Sequence, residues 1–245
     1  MDIVAFENVY SGYGSIRVLD DLSFRVSEGE VFGVIGPNGC GKTTMLNTLS
    51  GFVKPTDGNI LFNGEKINRT SPFKRCRMGI GRTWQIPRPF IGMSVYENIL
   101  AAISHGGVDF LLTRFHAKDR AEQILDKTGL IDRKDIPAGQ LTLLDRKRLE
   151  LARAIATDPK LLLLDEVAAG LNRVEVQGVM DLVRRLKDEG YTVIWIEHNI
   201  ETMRYATDRL MCMSEGGCAI VGDPAEVLSS DTVEELYLGT TAKAV

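Results

Sequence analysis

The chain has 245 residues, enough to bury a sizeable core as one large domain or as a domain carrying an inserted lobe. Its hydrophobic fraction of 44% and charged fraction of 25% are globular averages, which excludes a disordered or fibrous chain. A formal charge of −4 argues against wholesale nucleic-acid binding, and the basic trio Arg146, Lys147 and Arg148 reads as a solvated helix face. The longest purely aliphatic run, Leu161 to Leu164, is far short of the ~20 residues a bilayer span requires. No charged-then-apolar leader opens the sequence, so a cytoplasmic protein is expected. Cys40, Cys76, Cys212 and Cys218 show no C-x-x-C spacing, which predicts reduced thiols rather than a disulfide frame or a metal site.

In chain order, Ile3 to Val9 and Leu22 to Val26 alternate apolar and polar residues, with Tyr-Gly and Asp-Asp breaks between them, and read as half-buried antiparallel strands. Val31 to Ile35 is a short apolar run of the kind buried in a parallel sheet, followed directly by a glycine-rich turn and helix-compatible residues. From Phe90 to Leu151 the periodicity becomes helical, interrupted at Gly106-Gly107 and Pro137-Ala138-Gly139, which predicts an inserted helical lobe. Apolar strands return at Leu161 to Leu164 and Val193 to Ile196, separated by a helix over Val174 to Glu189. The expectation is an α/β fold, with an α/β core and antiparallel β subdomain over 1–86 and 152–245 and a helical subdomain over 87–151.

Gly36-Pro37-Asn38-Gly39-Cys40-Gly41-Lys42-Thr43-Thr44 fits G-x-x-x-x-G-K-[ST] and lies between a buried strand and a helix, the context that makes it a phosphate loop. Glycines let the backbone curl so that successive N–H groups face phosphate oxygens, and the positive end of the following helix adds to their field. Lys42 is expected to neutralise the terminal phosphates, Thr43 to offer its hydroxyl to Mg²⁺, and Thr44 to support the phosphate end. Cys40, near a helix N-terminus, is expected to have a lowered thiol pKa.

Leu161-Leu162-Leu163-Leu164-Asp165-Glu166 is an apolar strand that ends in two acids at the carboxyl edge, where α/β sheets bind ligands. Asp165 suits Mg²⁺, and Glu166 suits the general base that polarises a water for in-line attack on a γ-phosphorus. Alone, such a run is more often a strand entering a solvated turn; together with the phosphate loop it gains meaning.

The phosphate loop, the acidic pair and Trp195-Ile196-Glu197-His198 together resemble the P-loop nucleotide-binding subunits of ABC transporters over nearly the whole chain. The resemblance implies ATP and Mg²⁺ as cofactors. It implies that Gln85, in Gly81-Arg82-Thr83-Trp84-Gln85, links the metal site to the helical lobe and a membrane partner, and that His198 contacts the γ-phosphate. It also implies that Tyr13, in Gly12-Tyr13-Gly14, stacks on adenine, for which a flat ring is needed. Ala169-Gly170-Leu171-Asn172 matches the segment through which two such subunits meet, with Asn172 in place of the usual aspartate.

Leu141-Thr142-Leu143-Leu144-Asp145 departs from the family's L-S-G-G-Q signature, which clasps the nucleotide of the opposite subunit. Thr142 keeps a hydroxyl, and Thr142-x-x-Asp145 has capping-box form ahead of a helix over Arg146 to Ala156. The stretches 79–85 and 148–154 and the tail 235–239 resemble the ATPases of branched-chain amino acid uptake systems. That resemblance implies a peripheral subunit on the cytoplasmic face of the membrane, paired with a second ATPase as a homodimer or heterodimer and with integral-membrane permeases, without direct contact with nucleic acid. Three alternatives stay open: a non-transport ABC ATPase, a degenerate regulatory partner that binds nucleotide without hydrolysing it, and a P-loop GTPase. The last lacks an N-K-x-D guanine-reading tetrapeptide.

Overall fold

The computed structural model describes residues 1–105 and 110–238. The chain opens with two twelve-residue strands, β1 (Asp2–Tyr13) and β2 (Ile16–Ser27), followed by β3 (Val31–Ile35) and helix α1 (Lys42–Leu49). Next come β4 (Pro55–Phe62), β5 (Glu65–Lys66), α2 (Pro72–Arg77) and β6 (Ile80–Arg82). The helical stretch holds α3 (Val95–His105), α4 (Phe110–Lys127) and α5 (Leu143–Ala156). The chain then alternates through β7 (Leu161–Asp165), α6 (Arg173–Asp188), β8 (Thr192–Ile196) and α7 (Ile200–Ala206), and closes with β9 (Arg209–Ser214), β10 (Gly217–Gly222), α8 (Pro224–Leu228) and α9 (Asp231–Leu238).

Two sheets organise these elements: a four-stranded antiparallel one in the order β2-β1-β4-β5, and a six-stranded one in the order β10-β9-β3-β8-β7-β6. The central strands β9, β3, β8, β7 and β6 run parallel. All five residues of β3, β7 and β8 are buried, and their alternation explains why. Leu161 and Leu163 of β7 join the core under the antiparallel sheet and α1, whereas Leu162 and Leu164 join the core under the helices. A strand covered on both faces reads as a continuous apolar run rather than an alternating one. Burying the four leucines contributes roughly 6–12 kcal/mol of gross transfer free energy. Phe6, Phe24 and Phe32 stack in series at 4.7 and 5.6 Å, joining the antiparallel layer to the parallel sheet.

Two expectations need correction. The Asp20-Asp21 pair does not break the strand: β2 runs through it, and the irregularity is a set of register shifts against β1. Asn8 and Asp21, at φ of 47° and 52°, face each other across these bulges, with Asn8 Nδ2 donating to Asp21 Oδ1 at 2.8 Å. Turn-forming residues therefore serve a bulge here. The signature helix begins at Leu143 rather than Arg146, because leucines propagate a helix back to its cap where glycines would have left a loop. That helix, α5, runs without interruption through residues 151 and 152. The Gly106-Gly107 interruption lies outside the described residues, and Pro137 to Gly139 lead into a single 3₁₀ turn at Ala138–Gln140.

Candidate nucleotide site

Four neighbouring parallel strands, β3, β8, β7 and β6, each deliver a predicted site residue just past their carboxyl ends. The phosphate loop follows Ile35, His198 follows β8, Asp165 and Glu166 end β7, and Gln85 follows β6. Sheet order, not sequence order, brings them together.

The loop is built for an anion. Gly36 adopts φ 148°, and a Cβ there would lie 2.4 Å from the Met213 carbonyl and 2.8 Å from Cys40 Sγ, so only glycine fits. Gly41, at φ 105°, is the N-cap of α1 and supplies no side-chain cap, while the first turn of α1 carries no acid. The positive end of that helix is left for a ligand. Pro37 is half-buried and Asn38 and Gly39 are exposed at the loop's rim, while Thr43 is exposed and Thr44 buried at the start of α1. Lys42 is buried and donates to the carbonyls of Gly36 at 2.7 Å and Pro37 at 2.9 Å, which holds its ammonium inside the loop. The expectation for Cys40 is overturned: the residue is buried, and burial pushes its thiol up, outweighing the Lys42 ammonium beside it. Cys40 is a packed loop residue, not an activated thiolate.

Asp165 is buried at 2% side-chain exposure and shares an ion pair with Arg82, Nη2 to Oδ2 at 3.4 Å. Burial raises its pKa, while Arg82 and, more weakly, Lys42 lower it, so the phosphate-loop lysine and this carboxylate feel each other across the site. Asp165 Oδ1 is buried without a hydrogen-bond partner. An orphaned carboxylate oxygen beside a hydroxyl-bearing phosphate loop fits a hard cation that takes most of its ligands from phosphate and water. Asp165 and Thr43 would hold Mg²⁺. Among the described residues no cluster of three His, Cys, Asp or Glu offers an alternative metal cage.

Glu166 is the meeting point. Gln85 Nε2 donates to its Oε2 at 2.7 Å, and His198 Nε2 lies 2.8 Å from its Oε1. The residue sits at φ 51°, a left-handed conformation that costs roughly 1–2 kcal/mol for a side-chain-bearing residue. Its N–H donates to Ile196 O at 3.0 Å, and its carbonyl accepts from Lys147 Nζ at 3.0 Å, so the strained turn is pinned from both sides. Glu197 holds the next turn, accepting from Ala168 N–H at 2.7 Å and Trp195 Nε1 at 3.2 Å; burial raises its pKa.

The more peripheral predicted residues fall as follows. Tyr13 ends β1 with an exposed ring, and its hydroxyl accepts from Asn47 Nδ2 of α1 at 2.8 Å, on the flank of the loop's helix. Thr142 caps α5, accepting from Asp145 N–H at 3.2 Å. The reciprocal bond of a capping box is replaced: Asp145 Oδ2 accepts from the Thr142 hydroxyl at 2.7 Å, and the carboxylate pairs with Arg133 and Arg148. Asn172 forms a full capping box with Glu175 at the start of α6, so the residue standing in place of aspartate is a helix cap.

Sequence reasoning missed four residues: Arg82, Lys147, Glu197 and Tyr237. The trio read as one solvated face splits: Lys147 is buried on the Glu166 turn, Arg148 pairs with Asp145, and Arg146 Nη2 donates to Gly139 O at 2.8 Å. The signal available was that Lys147, five positions past the Thr142 cap, shares a helix face with Glu150 and Leu151, three and four residues on. Tyr237 of α9 accepts from Gly36 N–H at 3.1 Å, tying the carboxyl-terminal helix to the root of the phosphate loop; Gly239 of the tail lies outside the described residues.

A parallel sheet whose carboxyl edge presents a phosphate loop, a buried aspartate with one oxygen unpaired and an oriented glutamate defines a nucleoside triphosphatase of the P-loop class. Comparison with known proteins makes this specific. Residues 19–169 match the family model described as "ABC transporter". The high-affinity branched-chain amino acid transport ATP-binding protein LivG of Salmonella typhimurium is 33% identical, with 97% of this chain and 98% of that protein covered. The lipopolysaccharide export system ATP-binding protein LptB of Escherichia coli is 32% identical, with 98% of each covered. A crystal structure of the ADP conformation of an ATP-binding cassette of an ABC transporter superposes with a TM-score of 0.86 at 32% identity, covering 98% of this chain and 99% of that one. The chain belongs to the ABC transporter ATP-binding family and is an ATPase.

Proposed function

We propose that the chain powers an ABC importer of branched-chain or related amino acids, hydrolysing ATP on the cytoplasmic face of the membrane as a peripheral subunit. The observation that carries the catalytic part is the Glu166 carboxylate, oriented by Gln85 on one oxygen and His198 on the other at the end of a pinned turn. In this reading Lys42 and the loop amides hold the β- and γ-phosphates. Tyr13 stacks on adenine, and Glu166 orients the attacking water and takes its proton. Mg²⁺, held by Thr43, Asp165 and Gln85, would neutralise charge between the phosphates. His198, bound to the base, would contact the γ-phosphate, and Thr142 with the α5 N-terminus would face a second subunit's nucleotide. Residues 87–151 would form a helical lobe joined to the core through α5.

The amino acid assignment rests on the stretches 79–85, 148–154 and 235–239 and on the likeness to LivG. No helix among the described residues is long and apolar enough to cross a membrane, so the path for solute has to come from permease subunits. A groove of about 510 Å³ lined by Phe52, Phe73, Phe90 and Trp84, the residue before Gln85, is the seat this reading gives to a permease segment. Phe73 at 61% and Phe90 at 50% exposure offer the uncovered apolar surface such a contact buries.

The test has two parts. Glu166→Gln should lower ATP turnover by roughly 10²–10⁴-fold while leaving nucleotide binding intact; equal rates would remove Glu166 from the role of base. Reconstitution with the cognate permeases and binding protein should give ATP-dependent uptake of a branched-chain amino acid. Uptake of none, with extraction of a lipid-linked saccharide instead, would move the assignment to the activity for which LptB is named.

A further inference from the structure

Between the metal ligand and the apolar groove stands a residue to which neither the motifs nor the reading above give a task. Arg82, the last residue of β6, is buried at 6% side-chain exposure. Its guanidinium makes three contacts in three directions. Nη1 donates to Ser50 Oγ at 2.7 Å, Nη2 reaches Asp165 Oδ2 at 3.4 Å, and its plane lies over the Trp84 ring at 4.3 Å. Trp84 in turn meets Phe52 edge-on at 5.0 Å, and Ser50, Phe52, Arg82 and Trp84 all line the 510 Å³ groove.

Each contact has a physical consequence. A buried ionised carboxylate requires a compensating charge, and Arg82 is the cation paired with Asp165. By engaging Oδ2 alone, it turns Asp165 so that Oδ1 stays unpaired. At 3.4 Å the pair is longer than the 2.7–2.9 Å typical of a charge-assisted hydrogen bond, and Arg82 Nε is itself buried without a partner. The ion pair is thus left with an unsatisfied atom on each side, which makes it adjustable. The bond to Ser50 and the stack on Trp84 fix the guanidinium from behind. Any repacking of Trp84 by an occupant of the groove therefore bears on the direction in which Asp165 points.

We infer that Arg82 is a positioning residue that holds Asp165 with one oxygen free for Mg²⁺ and, through its stack on Trp84, couples the metal position to the apolar groove. The inference rests on the reading of Asp165 as a Mg²⁺ ligand and adds a link separate from Gln85. Coupling between two sites is reciprocal. If an occupant of the groove acts on Asp165, then Mg²⁺ at Asp165 must act on Trp84, and that second direction can be measured on the chain by itself.

The experiment uses the full chain with a non-hydrolysable ATP analogue, titrated with Mg²⁺ and also held in EDTA. Trp84 emission is obtained as the difference between the wild type and Trp84→Phe, because Trp195 is the other tryptophan of the sequence. In the wild type, Mg²⁺ should change Trp84 emission; in Arg82→Gln the change should vanish. The Mg²⁺ concentration for half-saturation should rise in Arg82→Gln by roughly 10- to 100-fold, the loss seen when a residue orienting a metal ligand is removed. Arg82→Lys, which keeps the charge, should recover part of it. Binding of the analogue in EDTA should match the wild type. The inference is overturned if Mg²⁺ leaves wild-type Trp84 emission unchanged, or if Arg82→Gln keeps the wild-type Mg²⁺ dependence. It is also overturned if Arg82→Gln weakens analogue binding equally with and without Mg²⁺, the mark of a structural role. A wild-type chain that binds no analogue in either condition refutes the nucleotide site itself.

Discussion

Replacing Lys147 by methionine tests whether the turn that carries Glu166, the proposed general base, is held in place from the signature helix. Lys147 is buried, donates to the Glu166 carbonyl at 3.0 Å, and is the cation whose field reaches both Glu166 and Glu197. Burial lowers its own pKa, while those two carboxylates counteract the shift. Methionine keeps the length and removes the ammonium, leaving the carbonyl of a residue at φ 51° with the neutral bond from Ala169 N–H at 3.2 Å. A hydrogen bond from a charged donor is worth about 1.5–3 kcal/mol. If that energy holds Glu166 in the geometry of the transition state, kcat falls roughly 10- to 150-fold. KM for ATP should stay near the wild-type value, because the phosphate loop is untouched. Steady-state hydrolysis of Lys147→Met and Lys147→Arg, with thermal unfolding of both, gives the answer; the arginine variant should retain most of the rate. A methionine variant with normal kcat and lowered stability would show that Lys147 supports the fold alone and would refute the pinning argument.

Two further expectations concern the fold. Arg75, 1% exposed, donates to the carbonyls of Thr48, Leu49, Ile67 and Thr70, closing the end of α1 against the turn before α2, and burial lowers its pKa to about 10. Arg75→Met removes the donor those four carbonyls share, leaving Thr48 its bond from Gly51 N–H and Ile67 its bond from Thr70 N–H, and should cost roughly 3 kcal/mol or more, a fall in Tm of about 6–12 °C in calorimetry; an unchanged Tm would contradict it. Glu197, whose pKa is raised first by burial, keeps its proton to higher pH in the folded chain than in the unfolded one. Its contribution to stability is therefore complete below the ordinary carboxylate value of about 4.3 and is lost as pH rises through the folded-state value. Glu197→Gln, which can still accept from Ala168 and Trp195, should gain stability relative to the wild type as pH rises from about 4 to about 7, followed as the urea midpoint. A difference that stays constant with pH would refute the assignment.

What the sequence revealed and what it hid follow from how far each feature reaches along the chain. The phosphate loop and the Asp165-Glu166 pair were legible because their chemistry is local: a glycine pattern beside a buried strand, and two acids at a strand end. The parallel core was legible because strands covered on both faces read as apolar runs. Asp21 misled because a bulge is a property of two strands, and its partner Asn8 is 13 residues away. The start of α5 misled because Leu143 and Leu144 extend a helix that the family's glycines would have delayed. Arg82 and Lys147 were invisible as site residues because Asp165 and Glu166 lie 83 and 19 residues away; the pairing of β6 with β7 brings the first pair together and the placement of α5 the second. Cys40 was read from the helix end alone, when its burial outweighs the nearby positive charge.

A crystal structure of the chain with Mg²⁺ and a non-hydrolysable ATP analogue tests the convergence of these strand ends most directly. The account predicts the triphosphate on the backbone amides from Gly39 to Thr44, the metal between Thr43 and Asp165 Oδ1, and the Glu166 carboxylate beyond the γ-phosphorus. A nucleotide bound elsewhere, or a metal that leaves Asp165 untouched, would contradict it.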